Sequence, residues 1–243
     1  LVTGVYLIGV NKTIISQQSN LDKIFFDQVK DSVCRITTVM ELENGQNLTS
    51  KGCGVFVDEQ GYVITTADIV RQENDEVNTY LDRSTIVRYW YYVDSISSGA
   101  SNLGYEAEVI NWNFKNNTAC LKVRNIASIY YKSARLGNSD TLHEPDEKYT
   151  ETCFNISTLY SMNAPVIARG SIMKLHCKLG INEKEDFIFS SMSFKGMSGS
   201  PLINKSGEIV GIMAATIIPE DTMMYAIPIN LIDIASLKKK KEN

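Results

Sequence analysis

Histidine is scarce in this 243-residue sequence, which holds only His143 and His176, and none of its five cysteines belongs to a CxxC pair. Cys34, Cys53, Cys120, Cys153 and Cys177 are widely spaced and odd in number, which excludes a disulfide framework. With two histidines beside them they do not make a zinc site either, and no metal or other cofactor is expected. Cys34, Cys53 and Cys120 fall within apolar, strand-like runs and read as small buried hydrophobes; Cys53 and Cys120 are expected to be free thiols. That usage favours a reducing compartment. Five Asn-x-Ser/Thr sequons begin at Asn11, Asn47, Asn116, Asn155 and Asn204, little more than chance produces, and they weigh lightly for secretion.

An excess of one charge is also missing. Lys and Arg total 24 against 28 Asp and Glu, a net charge of −4, which gives no pull towards nucleic acid or an anionic membrane. No apolar run is long enough to span a bilayer. The opening LVTGVYLIGV is too short. It reads as a strand packed on the core or, less favoured, as the end of an anchor or signal lying upstream of residue 1, the only route to membrane association. The closing Lys238-Lys239-Lys240-Lys241-Glu242-Asn243 reads as a solvated lysine tail. Its KKEN ending is similar to a dilysine retrieval signal, which matters only on a membrane protein with a cytosolic C-terminus.

What the sequence does have is a series of short β-rich runs. After a helical spacing of Leu21, Ile24, Phe25 and Val29 in residues 21–32, strands are predicted at 33–40, 52–58, 62–66, 85–93, 105–111 and 118–124. More follow at 164–178, 186–191, 200–204, 208–216 and 222–229. Gly, Asn, Asp and Ser clusters separate them, and a break near 125–145 divides them into two groups. INLIDIASLK (229–238) reads as an amphipathic closing helix with Leu231, Ile234 and Leu237 on one face. The expected class is all-β, with two tandem antiparallel six-stranded barrels. The expected division is an N-terminal segment 1–20, a first barrel at about 21–130, a second at about 131–228, a closing helix at about 229–237 and a tail 238–243.

Four blocks, in order, carry a resemblance. Gly52-Cys53-Gly54-Val55-Phe56-Val57 with Gly61-Tyr62-Val63-Ile64-Thr65-Thr66-Ala67-Asp68-Ile69-Val70 resembles GSGVII…GYVLTNAHVV, and Asn117-Thr118-Ala119-Cys120-Leu121-Lys122-Val123 resembles D-(L/I)-A-V-L-K-V. Leu136-Gly137-Asn138-Ser139-Asp140 is similar to LGDSD, and Gly196-Met197-Ser198-Gly199-Ser200-Pro201-Leu202 to GNSGGPL. The set resembles the trypsin-like serine protease domain of the HtrA/DegP family over roughly residues 21–237. The resemblance implies that Ser198 holds the nucleophile position and that the N–H groups of Gly196 and Ser198 form an oxyanion hole. It also implies that Asp68 stands where the family has its catalytic histidine and Asn117 where it has the aspartate. The family usually carries PDZ domains after this one; none is expected here. It also trimerises through an N-terminal aromatic segment, for which Phe25 and Phe26 are too little.

A serine hydroxyl needs an imidazole to remove its proton, and a carboxylate to orient that imidazole. On this reading the chain is an inactive protease homologue, a peptide- or protein-binding or structural module. An extended peptide would pair with an edge strand near Gly211–Thr216, with Met192, Met213 and Ala215 forming an apolar pocket. The alternative is an active serine endopeptidase whose base is Lys195, a partner's residue or Asp68 with a raised pKa. A third reading is a barrel scaffold with its cleft filled. His143 and His176 are expected at the surface or at a strand edge.

Overall fold

The computed structural model describes residues 5–7, 26–78, 83–96, 104–124, 131–158, 165–178, 185–191, 194–216 and 223–240. In the first barrel the strands are β2 (Val33–Leu42), β3 (Asn47–Phe56), β4 (Tyr62–Thr65), β6 (Arg83–Ser95), β7 (Tyr105–Asn113) and β8 (Thr118–Val123). They pair antiparallel in the order β2-β3-β4-β8-β7-β6, and β6 closes the ring by pairing back onto β2. A short β5 (Glu76–Asn78) adds to β6 outside the ring. The second barrel is built from β9 (Thr152–Thr158), β10 (Pro165–Lys178), β11 (Glu185–Ser190), β12 (Pro201–Ile203), β13 (Ile209–Thr216) and β14 (Met223–Pro228). Its order is β10-β11-β14-β13-β12-β9, closed by β9 on β10, with β1 (Val5–Leu7) alongside β10. The strand-like runs predicted from residue 33 onward are all strands.

The three largest apolar clusters hold this together. Ile36, Phe56, Val63 and Leu121 fill the first barrel, and Ile172, Phe187, Phe189 and Leu202 fill the second. The third cluster is the seam between them: Val33, Val55 and Ile64 from the first barrel pack with Phe154, Ile156, Ile203 and Ile209 from the second. Turns are set by local polar chemistry. Asp58 Oδ1 accepts the N–H groups of Gln60 and Tyr62, and Gly61 takes the left-handed φ of 86° that the β3–β4 turn needs.

Sequence and structure part in three places. TCFNIST (152–158) was not predicted as a strand, because Asn155, Ser157 and Thr158 make it look like a polar loop; all three are buried. The strand is covered on both faces, by its own barrel and by the seam, so polarity did not mark a solvent side. The closing helix is shorter than expected: a 3-10 turn at Ile229–Leu231 and, as α3, one turn at Ile234–Leu237. Asp233 divides them by accepting Ser236 N–H as an N-cap, and Ile229, Ile232 and Leu237 are buried while Leu231 is exposed. At the other end, residues 26–29 are helical (α1) and lead into a 3-10 turn at Lys30–Ser32. The rest of that predicted helix, with Phe25, lies outside the described residues, as does Met192.

One buried ion pair links two strands of the first barrel on the face turned away from its interior. Arg35 and Asp94 face each other across β2 and β6 at 2.6 Å, each side chain 9% exposed. Removing Arg35 takes its paired cation from the buried Asp94 carboxylate. Arg35→Met is expected to cost about 3–5 kcal/mol, and Arg35→Met with Asp94→Leu to recover most of it. Urea denaturation of the two variants checks this; equal losses in both would contradict it.

Candidate active site

Pairing of β4 with β8 sets Thr65 opposite Ala119, so the chain leaving β4 and the chain entering β8 emerge side by side. The first runs into the one-turn helix α2 (Ala67–Val70), which carries Asp68 in its first turn. The second arrives through a 3-10 turn at Phe114–Asn116 that ends with Asn117 at a left-handed φ of 47°. Asparagine is among the few non-glycine residues that adopt this conformation readily. In it, Asn117 Oδ1 accepts the Asp68 N–H at 3.2 Å. The two residues are therefore joined through the Asp68 backbone.

The Ser198 turn comes from the second barrel and is fastened to both. Gly199 N–H donates to Met213 O at 2.7 Å and Met213 N–H to Ser200 O at 2.8 Å, which ties the turn to β13. Cys53 N–H donates to Ser198 O at 2.8 Å, which ties it to β3 of the first barrel. Gly199 sits at φ 79°, and a Cβ there would lie 2.0 Å from Cys53 O and 2.2 Å from Thr65 Oγ1, so only glycine fits. Thr65 Oγ1 in turn donates to Cys53 O at 2.7 Å. Gly52 fixes the remaining side: its missing Cβ would meet Ile69 Cδ1 at 2.4 Å and Ser198 O at 2.9 Å. The Asp68 helix and the Ser198 turn meet over that glycine.

Within the turn, Gly196 has φ 103°, and among the described residues the Gly196 and Ser198 N–H groups have no hydrogen-bond partner, nor has the Ser198 hydroxyl. The Gly196 carbonyl is held away by the Cys53 thiol at 3.2 Å. Burial pushes the Cys53 pKa up to about 11 against hydrogen bonding to Thr158, so the group is a neutral S–H donor. Below the turn, Asn155 Nδ2 donates to Ser200 Oγ at 2.7 Å and to Pro201 O at 3.0 Å, and Ser200 Oγ donates to Met197 O. The smallness of Ser200 thus serves its own barrel. These supports, Cys53, Thr65 and Asn155, were not singled out as site residues in the sequence; the Gly52-Cys53-Gly54 spacing was the only signal.

The Trypsin-like peptidase domain family matches residues 52–212. The chain belongs to it. Within that family its relatives are of the HtrA/DegP kind. A probable periplasmic serine endoprotease DegP-like of Buchnera aphidicola subsp. Baizongia pistaciae is 27% identical over 188 residues, 75% of this chain and 35% of that protein. Periplasmic serine endoprotease DegP of Escherichia coli K12 is 24% identical over 194 residues, 77% of this chain and 35% of that protein. The chain spans about a third of the length of these relatives. Among solved structures, Deg5 superposes with a TM-score of 0.66 at 18% identity, over 89% of this chain and 92% of that one. The HtrA-type protease AlgW with tripeptide gives 0.66 at 17% identity, over 89% and 63%. The two six-stranded barrels match this trypsin-like HtrA fold.

In this trypsin-like domain both histidines lie elsewhere. His143 is exposed with its ring edge-on to Tyr149, and His176 is exposed on β10, lining a cavity of about 100 Å³ with Asp140 and Leu231. Lys195 is exposed in the turn. The strand expected to receive a peptide is less open than its sequence suggested. Gly211 pairs on both sides, with Leu202 and Pro228, and Met213 is 2% exposed in the second barrel's core. Among the described residues, only Ala214–Thr216 is unpaired on the side away from β14, because β12 ends at its pairing with Ile212.

Asp68 is exposed yet closely hemmed by protein. Desolvation raises its carboxyl pKa above the ordinary value, against the Asn117 amide and the Thr66 hydroxyl, which lies beside it without a full hydrogen bond. An acid with a raised folded pKa destabilises the native state once ionised. The penalty is absent below the unfolded pKa and complete above the folded one. Asp68→Asn is therefore expected to raise the Tm at neutral pH, with the gain vanishing as the pH falls below the ordinary aspartate range. A pH series of thermal melts checks this, and a gain that persists in acid would contradict it.

All five cysteines are free and buried, as expected for Cys53 and Cys120. Burial drives Cys120 and Cys153 up to about 12. Thiol titration is expected to find none reactive in the native protein and all five under denaturing, non-reducing conditions.

Proposed function

We propose that this domain is a catalytically inactive protease homologue that binds an extended peptide or protein segment. One observation carries the reading: beside the Ser198 turn, the group joined to Asn117 is an aspartate. By the resemblance, Asp68 and Asn117 hold the histidine and aspartate positions of the triad. A carboxylate is a weak base with an ordinary pKa near 4, and the Asn117 amide carries no charge to stabilise a protonated neighbour. Loss of a triad member leaves roughly 10³–10⁴-fold catalysis over water, from binding and the oxyanion hole alone. The turn itself is intact, which supports retention of a peptide-binding surface. Ala214–Thr216 is the segment on which a bound strand would pair. The HtrA-type protease AlgW was solved with a tripeptide, and a similar ligand class suits this cleft.

A second reading, a serine endopeptidase with an unusual base, draws on the raised pKa of Asp68. A fluorophosphonate probe separates the two. The unaltered protein is expected to remain unlabelled. Asp68→His with Asn117→Asp is expected to label, and Asp68→His alone to label less, since an asparagine favours the wrong imidazole tautomer, at a cost of about 10⁴ in a serine triad. Labelling of the unaltered protein that is lost in Ser198→Ala would overturn the inactive reading. Its loss in Lys195→Ala or Asp68→Asn would then identify the base.

A further inference from the structure

We propose that the segment bound along Ala214–Thr216 presents a lysine or arginine side chain to Asp68. The inference rests on the peptide-binding reading and adds the chemistry of the occupant. Asp68 is a carboxylate at the meeting of the two barrels, and among the described residues no cation pairs with it. The aspartates around it are differently placed: Asp58 pairs with Lys238, Asp75 with Arg71 and Asp94 with Arg35.

The nearest guanidinium in the sequence is committed elsewhere. Arg71 grips Asp75 through two nitrogens, at 2.9 and 2.6 Å, and lies over the Trp112 ring at 4.6 Å. It follows Asp68 by three residues and fastens the end of α2 to the barrel wall. Gln72 Nε2 reaches only the Asp68 carbonyl, at 3.2 Å. The side-chain neighbours of the carboxyl are a neutral amide and a hydroxyl, Asn117 and Thr66. Both are uncharged, so the carboxylate has no compensating charge beside it.

The elements that carry the two, α2 for the charge and β13 for a bound strand, lie close together. The Ser198 turn is stitched to Met213, the residue just before Ala214, and meets α2 over Gly52. A segment paired with Ala214–Thr216 starts beside the Ser198 turn, on the side of the domain where that turn meets α2. A partly desolvated carboxylate attracts a cation more strongly than one in open water, and complementary charge chiefly sets which partner is chosen. Lys195, exposed in the turn, is the competing positive charge and would favour an acidic segment instead.

Fluorescence anisotropy with labelled peptide pools of equal length tests this, the pools differing only in whether they contain Lys/Arg, Ser/Gln or Asp/Glu. The basic pool is expected to bind about tenfold more tightly than the neutral one, with an advantage that shrinks with salt. Asp68→Asn, which keeps the side chain's shape, is expected to erase the advantage of the basic pool over the neutral one. Backbone N-methylation of the peptides is expected to abolish binding of every pool. Equal binding of all pools, tighter binding of the acidic pool, or an advantage that survives Asp68→Asn overturns the inference and leaves the peptide-binding reading standing. Binding by no pool, or binding indifferent to N-methylation, overturns both.

Discussion

The site depends on one close approach, that of Gly199 to Cys53. A backbone turn from the second barrel is pressed against a backbone carbonyl from the first, at a separation that excludes any side chain. The Cys53 N–H reaching Ser198 O and the Thr65 hydroxyl reaching Cys53 O then hold both sides of the contact. Because both contacts end on backbone carbonyls beside a seam of aliphatic side chains, the two barrels cannot slide without breaking the Cys53–Ser198 hydrogen bond. The Asp68 helix inherits its place from the same strand, through Gly52. The whole apparatus is thus a property of β3 lying flat against the turn, and it stands independently of the chemistry of residue 68.

That independence explains how an intact turn coexists with the residues found beside it. The hydrogen bond between the Asp68 backbone and Asn117 needs only an N–H at one position and an oxygen at the other. An asparagine supplies the oxygen as well as an aspartate does, and also tolerates the left-handed backbone at that point. Scaffold and reactivity are separable here, since the first rests on main-chain atoms and the second on side-chain basicity.

Much of this was legible in the sequence because the barrels declare themselves through short β-branched runs and the site through small residues at fixed spacing. Gly52, Gly54 and Gly199 mark places where a Cβ cannot go, and such constraints leave a readable trace. Strand β9 left none. Its Asn155, Ser157 and Thr158 point into protein on both sides, so neither alternation nor apolarity announced it. The cleft strand was misjudged in extent for a related reason: pairing partners come from residues far away in the chain, and IVGIMAAT does not reveal that its pairing with β12 reaches no further than Ile212. The closing helix was overdrawn because its apolar spacing is genuine while Asp233, an N-cap, interrupts it.

The buried position of Asn155 also bears on how the chain must mature. Asn155-Ile156-Ser157 is a sequon whose amide nitrogen is already spent, donating to Ser200 and Pro201 in a place with no solvent exposure. A glycan attached to that nitrogen has no room beside β12, and the strand that carries it could not enter the barrel. Were the chain to meet an oligosaccharyltransferase, folding and modification would compete at this residue: a chain whose second barrel had closed would be immune, and a chain modified first would be unable to close it.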